Sequence, residues 1–301
     1  MAKRPLSIPE RTQWAALGHV LLLQSLMQST DWTSKEFAFH GGTSLHLSWE
    51  SPRFSEDLDF LLDARAAERL TNVIGKAAER MREQLLMIDP AFVLEVKDKS
   101  TERMGNYQFS LTKPDVLGKA MVKAEFWKVS PTYLERYDTA GRSPAAPADI
   151  GGVRLRVDAV LPAATLASAL ADKLTAFATR PHLKWRDLYD HWWIRRSRHF
   201  VEPSTQELVE RFLHHVSAYE TTEPGDPAAS LERFAQRVSE RTVAEQAEID
   251  LKPFLPDHVW RLVWPAEVKT MVTEAAEAAR HLASMLRQQE AHRDRTGQRG
   301  G

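Results

Sequence analysis

Between residues 37 and 63 the chain follows a double glycine with two carboxylates on an alternating apolar run, and this stretch constrains the fold more than any other. The run Asp57-Leu58-Asp59-Phe60-Leu61-Leu62-Asp63 has strand periodicity, and a strand sends alternate side chains to opposite faces. Leu58, Phe60 and Leu62 are expected to face a core, with Asp57 and Asp59 together on the other face. Two negative charges that close repel unless a cation lies between them. Magnesium suits the position, since it prefers oxygen ligands and is commonly held by one or two carboxylates plus phosphate oxygens.

The glycines supply the other half. Gly41 and Gly42 follow the apolar Phe37-Ala38-Phe39 and precede Thr43 and Ser44, which reads as strand, tight turn and short helix. Backbone donors at such a helix start attract phosphate. Arg53 and Ser55 add a charge-assisted contact and a hydroxyl for the same group. A calcium loop is disfavoured, because the glycine and the closing glutamate of an EF-hand are missing from their positions.

A second block lies further on, Asp172-Lys173-Leu174 and then Arg186-Asp187-Leu188-Tyr189-Asp190. With Leu166 as the origin of a helix, Leu170, Lys173 and Phe177 fall within about 40° of it. Lys173 therefore sits in an apolar stripe, where a lysine either snorkels to solvent or meets a specific anion. One anion is a substrate phosphate; the other is a nearby carboxylate. Arg186 and Asp190, four residues apart, have the spacing of a helix-surface ion pair. The aromatic residues around them, Trp185, Tyr189, Trp192 and Trp193, read as packing.

Taken together, Gly41-Gly42-Thr43-Ser44-Leu45 with Arg53-x-Ser55-x-Asp57-Leu58-Asp59, and the block containing Lys173 and Asp187, resemble the motifs of AbiEii-type nucleotidyltransferases. These are toxin halves of bacterial type IV toxin-antitoxin and phage-defence pairs. The resemblance covers roughly residues 37 to 200 and implies a mixed α/β core of the polymerase-β-like kind. It implies a magnesium- or manganese-dependent transfer of a nucleotide from an NTP to an RNA acceptor, the tRNA 3′ end, which blocks translation. It also implies a cognate antitoxin, a phosphate-holding role for Lys173 and a site role for Asp187. Nucleotidyltransferases of this general fold use a third carboxylate on a later strand. Glu125, on the more polar face of a strand near residues 119–129, is one candidate, and Asp158 is another.

Composition agrees with a cytoplasmic enzyme. The 301 residues are 43% hydrophobic, enough for a large core, and contain no cysteine, which excludes disulfides and thiolate metal sites. The apolar Val20-Leu21-Leu22-Leu23 is short, and reads as part of a buried helix from about Ile8 to Gln28 rather than a signal peptide or membrane span. A net charge of -1 argues against indiscriminate nucleic-acid binding. One local basic stretch, Lys97 to Arg136 with interleaved aromatics, reads either as an RNA cradle or as the exposed faces of half-buried strands.

Strands are expected at Ala91–Lys97, Arg103–Thr112, Lys119–Val129 and Val153–Val160, with an exposed loop from Thr139 to Gly152. Helices are expected at Ala64–Leu86, Thr205–Tyr219, Leu231–Ile249 and Pro265–Gln289, with a frayed tail from about His292. The division expected is a nucleotidyltransferase core with its N-terminal helix, residues 1–200, and a helical C-terminal region, 201–301, with the catalytic cleft between them. Two other functions fit the same residues: a nucleotide-dependent protein-modifying phosphotransfer enzyme, and a catalytically inactive binding module of the same fold.

Overall fold

The computed structural model describes residues 3–146, 155–218, 225–241 and 244–297, and divides into two compact units, Met1–Thr165 and Leu166–Gly301. Among the described residues, no helix is long and apolar enough to cross a membrane.

The first unit is an α/β layer structure. In chain order it runs β1 (Arg4–Pro5), α1 (Ile8–Met27), β2 (Phe37–His40), α2 (Gly41–Trp49), β3 (Asp57–Asp63) and α3 (Leu70–Ile88). It continues with β4 (Val93–Asp98), β5 (Met104–Thr112), β6 (Val116–Leu117), β7 (Ala120–Val129), α4 (Pro131–Leu134), β8 (Thr139–Arg142) and β9 (Leu161–Ala164). Seven of these strands form one sheet in the order β4-β5-β7-β3-β2-β9-β8. The strand bearing the aspartates is central, parallel to β7 and antiparallel to β2.

The alternation in β3 is realised as expected. Leu58, Phe60 and Leu62 are fully buried, and Val122, Ala124 and Phe126 of β7 join them on that face. Helices α1 and α3 cover it. Ser7 caps α1 in a reciprocal capping box with Glu10, satisfying donors that the first turn leaves open. Close approach to the sheet comes at Gly18, where a Cβ would stand 2.8 Å from Val122. Val20, Leu21, Leu22 and Leu23 are all buried there, so the apolar run is core.

The expected strand at Val153–Val160 does not form. Its first two residues lie outside the described set, and 155–160 contain no strand, only an isolated bridge between Ala145 and Arg156. The physical reason is where the backbone groups bond: Val157 N–H donates to the Pro144 carbonyl at 2.7 Å, and Asp158 N–H to the Gln24 side chain at 2.8 Å. The ladder is taken instead by β9. The loop expected from Thr139 begins as β8, and its part at 147–152 lies outside the described residues.

The second unit is helical among its described residues: α5 (Leu166–Thr179), α6 (Trp185–Arg196), α7 (Thr205–Ala218), α8 (Pro227–Arg241), α9 (Ala244–Asp250), α10 (Asp257–Val263) and α11 (Ala266–Gly297). The single helix expected over Leu231–Ile249 is thus α8 and α9, with 242–243 outside the described residues. The tail expected to fray from His292 stays helical to Gly297, and 298–301 lie outside. Trp185 and Tyr189 are each only 1% exposed and are packing groups, whereas Trp192 and Trp193 are partly exposed.

Candidate active site

The polar face of β3 is assembled by register. Asp57 is opposite Lys123 and Asp59 opposite Glu125 on the parallel strand β7, while His40 on β2 is opposite Asp59. Paired residues in neighbouring strands project to the same face, so Asp57, Asp59, Lys123 and Glu125 share one. Both aspartates are partly exposed.

Gly41 starts α2 with φ +76°, a left-handed conformation that glycine adopts without steric penalty. Space matters as much as conformation, because a Cβ on Gly41 would collide with the Asp59 carboxylate. Gly42 repeats the theme: its missing Cβ is replaced by the Arg53 guanidinium, with the Ser55 hydroxyl 2.8 Å from the same point. The structure thus brings Gly41, Gly42, Arg53, Ser55 and Asp59 together. The side chain of His40 at the N-cap makes no capping hydrogen bond to the helix start, so the first-turn backbone donors are not spent on it.

Thr43 and Ser44 face elsewhere. The Thr43 hydroxyl donates to the Asp57 carbonyl, pinning α2 to β3. Ser44 is 2% exposed, and its hydroxyl is buried. Both side chains are buried.

Two histidines that the sequence did not single out hold the loop between α2 and β3. His19 Nε2 donates to the Glu56 carbonyl at 2.9 Å, and His46 Nδ1 donates to the Ser51 carbonyl at 2.7 Å. Both rings pack on Phe54, with centroids 5.7 and 5.8 Å from it. Burial pushes both imidazoles down to about 4, so they are neutral clamps at neutral pH. Their loop carries Arg53, itself 2% exposed, whose Nη1 donates to the Phe54 carbonyl at 3.0 Å. A lone buried histidine gives no periodic signal, which is why neither was found from sequence.

The third carboxylate is the point of greatest departure from the expected pattern. Glu125 is in register with Asp59, whereas Asp158 is exposed and off the sheet. Yet Glu125 is ion-paired to Lys123 and accepts from Asn106 Nδ2 at 3.3 Å. Burial alone would lower the Lys123 pKa, but its bond to Glu125 and the charges of Asp57, Glu125 and Asp59 raise it overall. A protein-supplied ammonium therefore stands among three carboxylates. Among the described residues, no group of three His, Cys, Asp or Glu side chains converges to hold a metal. The donors present fit an ion held by Asp57 and Asp59 with the rest of its shell from phosphate, rather than a resident metal cage.

In the second unit, Lys173 lies in the buried stripe with Leu166, Leu170 and Phe177, and is 8% exposed. Its ammonium is 3.0 Å from Asp187 and 2.8 Å from Asp190. Asp187 also binds Arg180, which makes a chain of two cations and two anions. The carboxylate alternative for Lys173 is thus realised, and Asp190 is a full member. The surface pair expected between Arg186 and Asp190 does not form. Asp190 turns inward, fully buried, and the Arg186 guanidinium sits 4.5 Å over the Phe254 ring.

In the basic stretch 97–136 the aromatics divide: Tyr133 is buried, and Trp127 is partly exposed on the strand face of Glu125. Tyr107, Phe109 and Phe126 belong to the core. Lys97 pairs with Glu95, Lys113 with Asp89, and Lys128 donates to the Glu102 carbonyl.

The chain is similar to known proteins. The family model described as "Nucleotidyl transferase AbiEii toxin, Type IV TA system" matches residues 24–289. No curated protein matches the chain. Among solved structures, MenT4, a nucleotidyltransferase toxin from Mycobacterium tuberculosis H37Rv, is similar with a TM-score of 0.55 at 16% identity, over 93% of this chain and 94% of that one. JHP933 from Helicobacter pylori is similar with a TM-score of 0.48 at 18% identity, over 94% of this chain and 97% of that one.

Proposed function

Since the chain belongs to the AbiEii family, nucleotidyl transferase toxins of type IV toxin-antitoxin systems, we propose that it transfers a nucleotide from an NTP to an RNA hydroxyl, with the tRNA 3′ end as acceptor, and so blocks translation. Membership implies an NTP substrate and an antitoxin partner. The observation that carries the reading is the fit of the Asp59 carboxylate against the bare backbone of Gly41. It supports the reading because a carboxylate and the backbone donors of a helix start meet at one strand-to-helix corner.

In this mechanism the acceptor oxygen bonds to the α-phosphorus as the bond to pyrophosphate breaks. Asp57 and Asp59 would hold magnesium or manganese, which would supply neutralisation of phosphate charge. Glu125 supports them from β7 and holds Lys123. Backbone N–H groups at Gly41 to Ser44 and the Ser55 hydroxyl take the phosphate oxygens, while Arg53 shapes the corner from beneath Gly42. The second motif contributes Lys173, whose ammonium is held by Asp187 and Asp190. Catalysis of this kind is mostly positioning and charge neutralisation.

The test is incubation of the chain with α-labelled nucleotides and total RNA or purified tRNA, with and without magnesium. Label in RNA that requires magnesium is expected, and Asp57→Asn or Asp59→Asn abolishes it. Label on protein would replace this reading with the protein-modifying one, and no label on either would favour a binding module.

A further inference from the structure

A hollow of about 500 Å³ opens in the second unit between the end of α5 and the face of α8, and its polar lining is dominated by Arg180, Arg233 and Arg237. Among the described residues, no acidic side chain lines it. Its floor is the stacked pair Phe177 and Phe234, with centroids 4.2 Å apart and planes 7° apart. Both rings are buried.

The arginines are held in place but not neutralised in equal measure. Arg237 donates to the carbonyls of Pro181 at 2.7 Å and Arg180 at 3.5 Å, and its Nε is buried without a partner. Arg233 bonds the Ser230 hydroxyl at 2.8 Å. Among the described residues neither has a carboxylate partner. Arg180 alone is paired, to Asp187, which in turn holds Lys173. Guanidinium groups grouped in this way repel one another until an anion enters, and their planar forks match phosphate oxygens. Anchoring to backbone carbonyls lowers the ordering cost of binding.

We propose that this hollow binds a phosphodiester of the acceptor polynucleotide, a subsite that deepens the nucleotidyl-transfer reading and rests on it. A free triphosphate is the poorer occupant, because none of the described lining residues is a carboxylate that could hold the metal travelling with it. A protein partner is also poorer, because the two aromatic rings that would anchor one lie buried in the floor. Through Arg180 the subsite touches the ion-pair chain of Lys173, so a strand seated here is registered to that motif.

The experiment is fluorescence polarisation of the full chain with a fluorescein-labelled single-stranded RNA across a salt series, in parallel with a fluorescent ATP analogue. Arg233→Glu is the main variant, since Arg233 is exposed and bonds only Ser230; Arg237→Gln is the second, with thermal melting as the check on folding. Arg233→Glu is expected to weaken RNA binding about tenfold, as loss of a charge-assisted contact does. It should also flatten the dependence of log K on log salt by roughly 0.7, with ATP-analogue binding unchanged. Unchanged RNA affinity and salt slope in folded variants would overturn the proposal. So would a loss confined to the ATP analogue, or displacement of a bound acidic peptide rather than RNA. Binding is read without turnover, so a failure of α-phosphate transfer would undo the reaction assigned above without deciding this measurement.

Discussion

The carboxylate of Asp59 lies where a side chain on Gly41 would begin. A hydrogen at that position is thus a requirement of the site, and Gly41→Ala is expected to abolish nucleotide transfer. The substitution adds a Cβ at φ +76°, which costs about 1–2 kcal/mol in the left-handed region, and displaces the carboxylate as well. Urea denaturation and the α-label assay check it together. Wild-type turnover in the variant would refute the assignment of Asp59.

Lys123 answers to the same carboxylates that are proposed to hold the metal. Replacing it in Lys123→Met leaves Asp57, Asp59 and Glu125 with a larger uncompensated charge, so manganese should bind the nucleotide-free protein about fivefold more tightly, a modest change in keeping with a partly exposed cation. Titration followed by electron paramagnetic resonance reads this directly. Weaker manganese binding would mean that Lys123 organises the acids rather than competing with the ion.

Lys173 is nearly closed to solvent and lies within 3.0 Å of both Asp187 and Asp190. Lys173→Met removes a cation from a buried network, a class of change that costs about 3–5 kcal/mol. The double variant Lys173→Met/Asp190→Asn should recover part of that loss, because the carboxylate charge goes too. Chemical denaturation of the two singles and the double closes the cycle. Strict additivity would show that the pair does not interact.

Acid should loosen the protein before its carboxylates titrate. Burial holds His19, His46 and His191 down to about 4, below the ordinary 6.5. As the pH falls, the unfolded chain takes up protons first, so stability is full above about 6.5 and drains away towards 4. Each histidine contributes a slope of about 1.4 kcal/mol per pH unit inside that window. Denaturation midpoints measured from pH 7.5 to 5 should fall accordingly, and His19→Gln should make the fall shallower. An unchanged slope in that variant would argue that His19 is not a neutral clamp.

What was legible in the sequence was whatever repeats along it. The alternation of Leu58, Phe60 and Leu62 placed β3 and turned its acids outward, and the spacing of Leu166, Leu170, Lys173 and Phe177 set the phase of α5 correctly. Pairing across the chain has no such signature. That Lys123 joins Glu125, or that Asp190 turns to Lys173 and not to Arg186, follows from strand register and helix packing. The segment before β9 misled for a related reason: its alternating apolar residues look like a strand, but its donors are taken by Pro144 and Gln24.

The parallel register of β3 with β7 has an evolutionary side. Because Asp57 and Asp59 reach the open face only by the parity of their positions, deleting one residue between 58 and 62 would swing an acid into the hydrophobic interior. The length of this segment is therefore as constrained by the fold as the positions of its acids. Changes in length should accumulate in the turns, such as residues 99–103 between β4 and β5, where they alter no parity.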